Sequence, residues 1–220
     1  MPWPDLLIFD LDGVLVDSEL LSSAALIAEL AVAGHDLSAE EVRRDFLGRS
    51  FPTVAAGLRA RFGAGFPPDF EERYRARLFA AFEEGLRPTA GVADLLRGLD
   101  LPCRVATSST PLRARKALAA TGLLARFEGR VDTASEVPNG KPAPDLFLLS
   151  AARAGVDPAR CVVVEDSAPG LLAARAAGMA SVLYLGGGHH AGRGWDGPTP
   201  SLGAIADWPD LWPLLSAAAA

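Results

Sequence analysis

Cysteine is scarce: Cys103 and Cys161 are the only two in 220 residues. Each opens a short apolar run, so a disulfide-stapled scaffold is excluded and both read as small buried hydrophobes suited to a reducing cytoplasm. Basic charge is short as well, with 21 Lys and Arg against 27 Asp and Glu, a net charge of −6 and a pI near 5.1. Proteins that hold a phosphate backbone do so chiefly through accumulated Lys and Arg. Nucleic acid and anionic membrane are therefore poor partners, and a small molecule is the expected one. No apolar run reaches the roughly 18 residues of a membrane span; the nearest, Leu20 to Gly34, is broken by Glu29. The start, Met1-Pro2-Trp3-Pro4-Asp5, has no basic region ahead of its apolar run, so no signal peptide and a cytoplasmic location are expected. Half of the residues are apolar, enough for a core of ordinary size in one or two domains.

Four runs are apolar without alternation: Leu6 to Phe9, Cys103 to Ala106, Cys161 to Val164 and Ser181 to Leu185. Strands buried on both faces read this way, as in a parallel sheet covered by helices on either side. Helical segments lie between the later runs. Thr110-Pro111 opens one that closes at Thr121-Gly122, Ala143-Pro144-Asp145 opens one ending near Gly155, and Pro169-Gly170 opens one ending at Gly178. From 18 to 87 nothing resembles a strand. There Ser18 can cap a helix running to Gly34, Ser38-Ala39-Glu40-Glu41 is a capping box, Asp69 with Glu72 is another start, and Gly48-Arg49-Ser50 and Gly63-Ala64-Gly65 are loops. This stretch reads as an inserted helical unit. Gly186 to Pro200 reads as a long loop, and Ala217 to Ala220 as a frayed end.

The residues richest in chemistry follow the first run: Asp10-Leu11-Asp12-Gly13-Val14-Leu15-Val16-Asp17-Ser18-Glu19. Two carboxylates one residue apart, at the carboxyl end of a buried parallel strand, stand where open α/β sheets bind ligands. Uncompensated carboxylates there raise each other's pKa or require a cation, so Mg²⁺ or a lysine is expected nearby. The same composition also suits a surface turn. An EF-hand fits poorly, because Val14 takes a ligand position and Gly13 comes two residues early. In Val105-Ala106-Thr107-Ser108-Ser109-Thr110-Pro111 a strand runs into hydroxyls and then a helix N-terminus, a ready phosphate site. Simple capping by Thr110 leaves Thr107 and Ser108 without a role. Asn139-Gly140-Lys141-Pro142-Ala143-Pro144-Asp145 is not a P-loop, since Ser135 and Pro142 replace its required residues. Lys141 is nonetheless a compact positive charge fixed in direction between glycine and proline. Val162-Val163-Val164-Glu165-Asp166-Ser167 ends another buried strand in two acids. Successive side chains point to opposite sides, so one acid can face a metal while the other orients a neighbour such as Lys141.

In this order the four elements resemble the haloacid dehalogenase superfamily of aspartate-nucleophile phosphohydrolases, in its branch with a helical cap after the first motif. Asp10-Leu11-Asp12-Gly13-Val14 resembles the first motif, Thr107 the second, Lys141 the third and Glu165-Asp166 the fourth. Gly140 to Asp145 and Val164 to Ser167, with Gly170 and Ala176-Ala177-Gly178-Met179, resemble the group of beta-phosphoglucomutases and sugar-phosphate phosphatases. The likeness implies a Rossmann-like parallel sheet core with helices on both faces, residues 1–16 and 88–220. It also implies an all-helical cap, residues 17–87, hinged near Val16 to Ser18 and Arg87 to Thr89.

The resemblance also implies roles. Asp10 would attack phosphorus and become an aspartyl phosphate, and Asp12 would serve the leaving alcohol as acid and the attacking water as base. Mg²⁺ would be held by Asp10, the backbone carbonyl of Asp12 and Asp166, with Glu165 behind it. Thr107, Ser108, Ser109 and Lys141 would bind the phosphoryl group, and Arg49 would contact substrate from the cap. The implied activity is a Mg²⁺-dependent phosphatase of a small phosphorylated metabolite, in a monomer or weak homo-oligomer. A beta-phosphoglucomutase-like phosphomutase is the alternative, lowered by Ser22 where such mutases carry a cap-entry histidine. Asp12 counts against a 2-haloacid dehalogenase, and the complete set of acids and lysine counts against a non-catalytic binding module. His35, the pair His189-His190 and the fingerprint-like Gly186-x-Gly188-x-x-Ala191 read as structural, for want of metal-ligand spacing or a following helix.

Overall fold

The computed structural model describes residues 4–46, 48–63 and 66–219. Met1 to Trp3, Ala64 and Gly65 of the second predicted loop, and Ala220 lie outside them. Six strands form one parallel sheet: β1 (Leu6–Phe9), β2 (Cys103–Thr107), β3 (Val131–Thr133), β4 (Cys161–Glu165), β5 (Ala180–Tyr184) and β6 (Gly203–Ile205). Their order across the sheet is β3-β2-β1-β4-β5-β6, and every pairing is parallel.

The unalternating apolar runs are explained by two cores. Leu7, Phe9, Val105, Val162, Val164, Val182 and Tyr184 point to one side of the sheet, whereas Leu6, Ile8, Ala106, Cys161 and Val163 point to the other. Successive strand side chains face opposite ways, so a strand covered on both faces must be apolar at every position. The second face is closed by α7 (Asp145–Ala154) and α8 (Ala168–Ala176) through Leu146, Phe147, Ala173 and Ala174. The first is covered by α5 (Val92–Arg97), α6 (Pro111–Ala120) and α9 (Leu211–Ala219). Both cysteines are buried and free. No described helix is long and apolar enough to cross a membrane.

Between β1 and α5 the described residues form four helices and no strand: α1 (Glu19–Val32), α2 (Ala39–Phe46), α3 (Phe51–Phe62) and α4 (Phe70–Gly85). The first core continues into them through Leu11, Val14, Leu15 and Val16 to Leu30, Leu58, Leu78 and Phe82. The capping box forms, with Ser38 N donating to Glu41 Oε2 at 2.9 Å and Glu41 N to Ser38 Oγ at 3.2 Å. The segment leaves and returns at adjacent points. Val16 and Pro88 form an antiparallel bridge, Asp17 N donates to Arg87 O at 3.0 Å and Thr89 N to Leu15 O at 3.1 Å.

Three differences from the sequence reading have local causes. β3 and β6, three residues each, are too short for a periodic signal and form only as edges of an existing sheet. The expected fraying from Ala217 does not occur among the described residues, because α9 is laid down on the first core through Leu211 and Leu215 and continues to Ala219. The stretch after β5 contains a short 3₁₀ turn, Gly188–His190.

One buried ion-pair network fixes the edge strand β3. Asp132, fully buried, accepts Arg104 Nε and Nη2 at 2.8 and 2.7 Å, Ser150 Oγ at 2.6 Å and Arg153 Nη1 at 2.6 Å. Removing one partner of a buried pair costs about 3–5 kcal/mol, because the other charge is left uncompensated. Asp132→Ala is expected to lower the thermal midpoint by roughly 10 °C, measured by circular dichroism, while leaving the cleft chemistry described below in place.

Candidate active site

Strand order decides where a site can form. Running outward from β1, the chain builds one half of the sheet through β2 and β3 and the other through β4 to β6, so the reversal falls between β1 and β4. Ligands of open α/β sheets bind at this point, beyond the carboxyl ends of the strands. Phe9 is in register with Val164, and Asp10 N donates to Val164 O at 2.9 Å. The residues just past each strand, Asp10 on one and Glu165-Asp166 on the other, are therefore neighbours. One ligand oxygen from each of Asp10, Glu165 and Asp166 lies within 4.8 Å of the others, all three side chains being buried.

Lys141 arrives from the loop before α7, with its side chain 1% exposed. Its ammonium donates to Asp10 Oδ1 at 2.5 Å, Glu165 Oε1 at 2.6 Å and Ala106 O at 3.0 Å. All three of its hydrogens are used. The second oxygen of Glu165 accepts Asp166 N at 2.9 Å, Ser167 N at 2.8 Å and Ser167 Oγ at 2.8 Å. Glu165 is thus spent on Lys141 and its own loop, which leaves Asp10 and Asp166 as the side chains free to hold a cation.

Asp12 is held on both oxygens. Ser18 Oγ donates to Oδ1 at 2.5 Å, Ser109 Oγ to Oδ2 at 2.6 Å, and Arg113 Nη2 to Oδ1 at 2.8 Å. The same Nη2 donates to Ser22 Oγ at 2.9 Å. Ser18, expected to cap α1, turns to Asp12 instead and makes no capping bond. Thr107 Oγ1 accepts Ser109 N at 3.1 Å, so its own hydroxyl hydrogen stays available to an incoming oxygen. Thr110 does cap α6, accepting Arg113 N. Gly13 is required by contact: its φ is +80°, and a Cβ there would lie 2.0 Å from Asp166 Oδ2.

Asp10, Asp12, Glu165 and Asp166 border a cleft whose walls include Glu19, Ser22, Tyr74 and Arg49 from the helical segment and Thr107, Ser108, Ser109 and Arg113 from the sheet side. Arg49 stands exposed on the turn between α2 and α3. Asp10, Asp12, Arg49, Thr107, Ser108, Ser109, Glu165 and Asp166 therefore border one cleft, and Lys141 lies buried behind Asp10 and Glu165. Sequence reasoning missed Glu19, Arg113 and His189. Arg113 carried a readable signal, since it falls three residues after the Thr110 cap, on the first turn of a helix aimed at the strand tips. His189, read as structural, is corrected by contact: its Nε2 is 2.9 Å from Asp166 Oδ2.

Charge is unbalanced here. Burial, together with Glu165, Asp166 and Asp12, pushes Asp10 well above the usual carboxylate range despite Lys141. Burial and Glu165 push Asp166 up in the same way. Burial opposes ionisation of Asp12 too, but the Arg113 charge and three hydrogen bonds outweigh it and hold its carboxyl low. Desolvation would strip the proton from Lys141, yet Asp10 and Glu165 more than restore it. Two buried carboxylates that resist ionisation, with a ligand oxygen of each within 4.8 Å of the other, form a donor set that suits a hard divalent cation.

Glu19 extends the crowding. Burial first, then Asp12 and Asp166, raise its carboxyl from 4.5 to about 8. Between those limits the folded chain keeps a proton that the unfolded chain has lost, so the contribution to stability falls as pH rises through the window. In metal-free protein, Glu19→Gln is expected to raise the thermal midpoint by a few degrees at pH 8 and by nothing near pH 4. Calorimetric scans at the two pH values check it.

The family model for "haloacid dehalogenase-like hydrolase" matches residues 4–178, and the chain belongs to that family of hydrolases. It is 34% identical over 181 residues to hexitol phosphatase B of Escherichia coli, covering 80% of this chain and 81% of that one. With fructose-1-phosphate phosphatase YqaB of the same organism it shares 35% over 183 residues, 80% of this chain and 94% of the other. A family hydrolase from Deinococcus radiodurans, solved with bound phosphate and sodium, superposes with a TM-score of 0.75 at 30% identity, covering 99% and 97% of the two chains. The chain is thus a hydrolase of that family, and the two named enzymes of Escherichia coli that it resembles are phosphatases.

Proposed function

We propose that the protein hydrolyses a small phosphorylated metabolite, a sugar or polyol phosphate, through an aspartyl phosphate on Asp10 with Mg²⁺ as cofactor. The observation that carries this reading is the meeting of Asp10 and Asp166 at the border of one cleft, with the Lys141 ammonium bonded to Asp10. Its substrate class is supported by the hexitol and fructose-1-phosphate phosphatases among its relatives.

An oxygen of Asp10 attacks phosphorus, and the bond from phosphorus to the ester oxygen breaks. Asp12 protonates the departing alcohol, then takes a proton from the water that attacks the aspartyl phosphate and releases inorganic phosphate. With Ser18, Ser109 and Arg113 on its oxygens, Asp12 is ionised and oriented in this state, ready for the second half; the first half requires it to be charged with a proton as substrate arrives. Thr107 donates its hydroxyl hydrogen to a phosphoryl oxygen, alongside Ser108, while Ser109 joins them only by giving up its bond to Asp12 or to Thr107. Lys141 keeps Asp10 aimed and gives up one of its three bonds to reach the phosphoryl group. Asp10, the Asp12 carbonyl and Asp166 would hold Mg²⁺, which when bound offsets negative charge on the phosphoryl oxygens. Residues 17–87 act as a cap over residues 1–16 and 88–220, flexing at the paired crossing of Val16 and Pro88, with Arg49 facing the substrate.

Phosphate release from hexitol and hexose phosphates in the presence of Mg²⁺ is the expected result. Asp10→Asn is expected to abolish turnover, and Asp12→Asn to reduce kcat by about 10²–10⁴-fold. No phosphate release across the panel, or an active Asp10→Asn, overturns the reading. Interconversion of glucose 1-phosphate and glucose 6-phosphate identifies a phosphomutase instead.

A further inference from the structure

The glycine run Gly186-Gly187-Gly188 and the histidine pair behind it have no part in the reaction as written. They follow β5, whose neighbour β4 delivers Asp166. His189 is 5% exposed and its Nε2 lies 2.9 Å from Asp166 Oδ2. His190 Nε2 lies 3.1 Å from the backbone carbonyl of the same residue, and the two rings are 4.0 Å apart.

When Asp166 is ionised, as a carboxylate holding a cation is, a ring nitrogen this close to its oxygen carries a hydrogen, since two lone pairs at this distance repel. The same holds for His190 against the carbonyl. Although Asp166, His189 and His190 could group around an ion by distance, both Nε2 atoms are thereby donors and unavailable as ligands. His189 Nδ1 is buried without a partner. The backbone is shaped around the ring: a Cβ on Gly13 would lie 2.8 Å from His189 Cε1, and one on Gly187 2.8 Å from Cε1 and 2.9 Å from Nδ1. The turn is fixed from outside by Gly188 N donating to Asp17 Oδ1 at 3.0 Å.

We propose that His189 is a positioning residue of the metal centre, donating Nε2–H to Oδ2 of Asp166 so that the other oxygen of that carboxylate is presented to the cation. The proposal rests on Asp166 being a Mg²⁺ ligand, as read above. Outer partners that orient a ligand typically change metal affinity by about 10–100-fold when removed.

The test is calorimetric titration of Mg²⁺ into the whole chain and its variants, with the metal-free thermal midpoint of each. His189→Leu and His189→Asn both remove the bond, the amide of Asn being too short to reach, and each is expected to weaken Mg²⁺ binding by about 10–100-fold. His189→Gln, whose amide N–H can take the place of the ring Nε2–H, is expected to restore most of it. Binding within twofold of the parent in a folded Leu or Asn variant overturns the proposal. So does ¹⁴N coupling to bound Mn²⁺ in pulsed electron paramagnetic resonance that disappears in His189→Leu, because the ring is then a direct ligand. Asp166→Asn separates the two levels: if it leaves Mg²⁺ binding intact, the metal reading itself fails, whereas weak binding there with a normal His189→Leu removes only the role of His189.

Discussion

Everything at the strand tips depends on one buried ammonium. Lys141 spans Asp10 and Glu165 and donates a third bond to a main-chain carbonyl, while its Nζ stands 4.8 Å from the centre of the Phe147 ring. Burying an ion is costly unless its charge and hydrogens are all met, and here they are. Lys116 is the chain's other lysine; arginine, used elsewhere throughout, could not serve at this position. A planar fork of donors suits a flat carboxylate, but three acceptors arranged around a point call for a compact ammonium.

The excess of negative charge that remains gives the site its character. Asp10, Asp12, Glu19, Glu165 and Asp166 crowd a region where Lys141 and Arg113 are, among the described residues, the lysine and arginine set against them in direct contact. A sheet that needed stability alone would not collect acids at its centre. The cluster forms because β1 and β4 are adjacent, parallel and in register, so acids placed one step beyond each strand must meet.

Much of this was legible from sequence. Apolar runs without alternation marked the buried strands, and Asp10, Asp12, Thr107, Lys141, Glu165 and Asp166 each followed a strand or opened a helix, where side-chain direction is tightly constrained. What escaped detection depends on tertiary geometry. β3 and β6 have three residues apiece and no period to read. Glu19 looked like an ordinary acid in a first helical turn, and only burial beside Asp12 and Asp166 changes its chemistry. His189 lies far from Asp166 along the chain, and the two meet only because they follow neighbouring strands. Ser18 shows the converse: a capping residue by pattern, it is drawn off by a stronger acceptor.

The paired crossing at Val16 and Pro88 has a consequence for how such a molecule diversifies. Because the chain departs and re-enters at neighbouring backbone positions tied by their own hydrogen bonds, the intervening helices can lengthen, shorten or be exchanged for another set without shifting any strand by a residue.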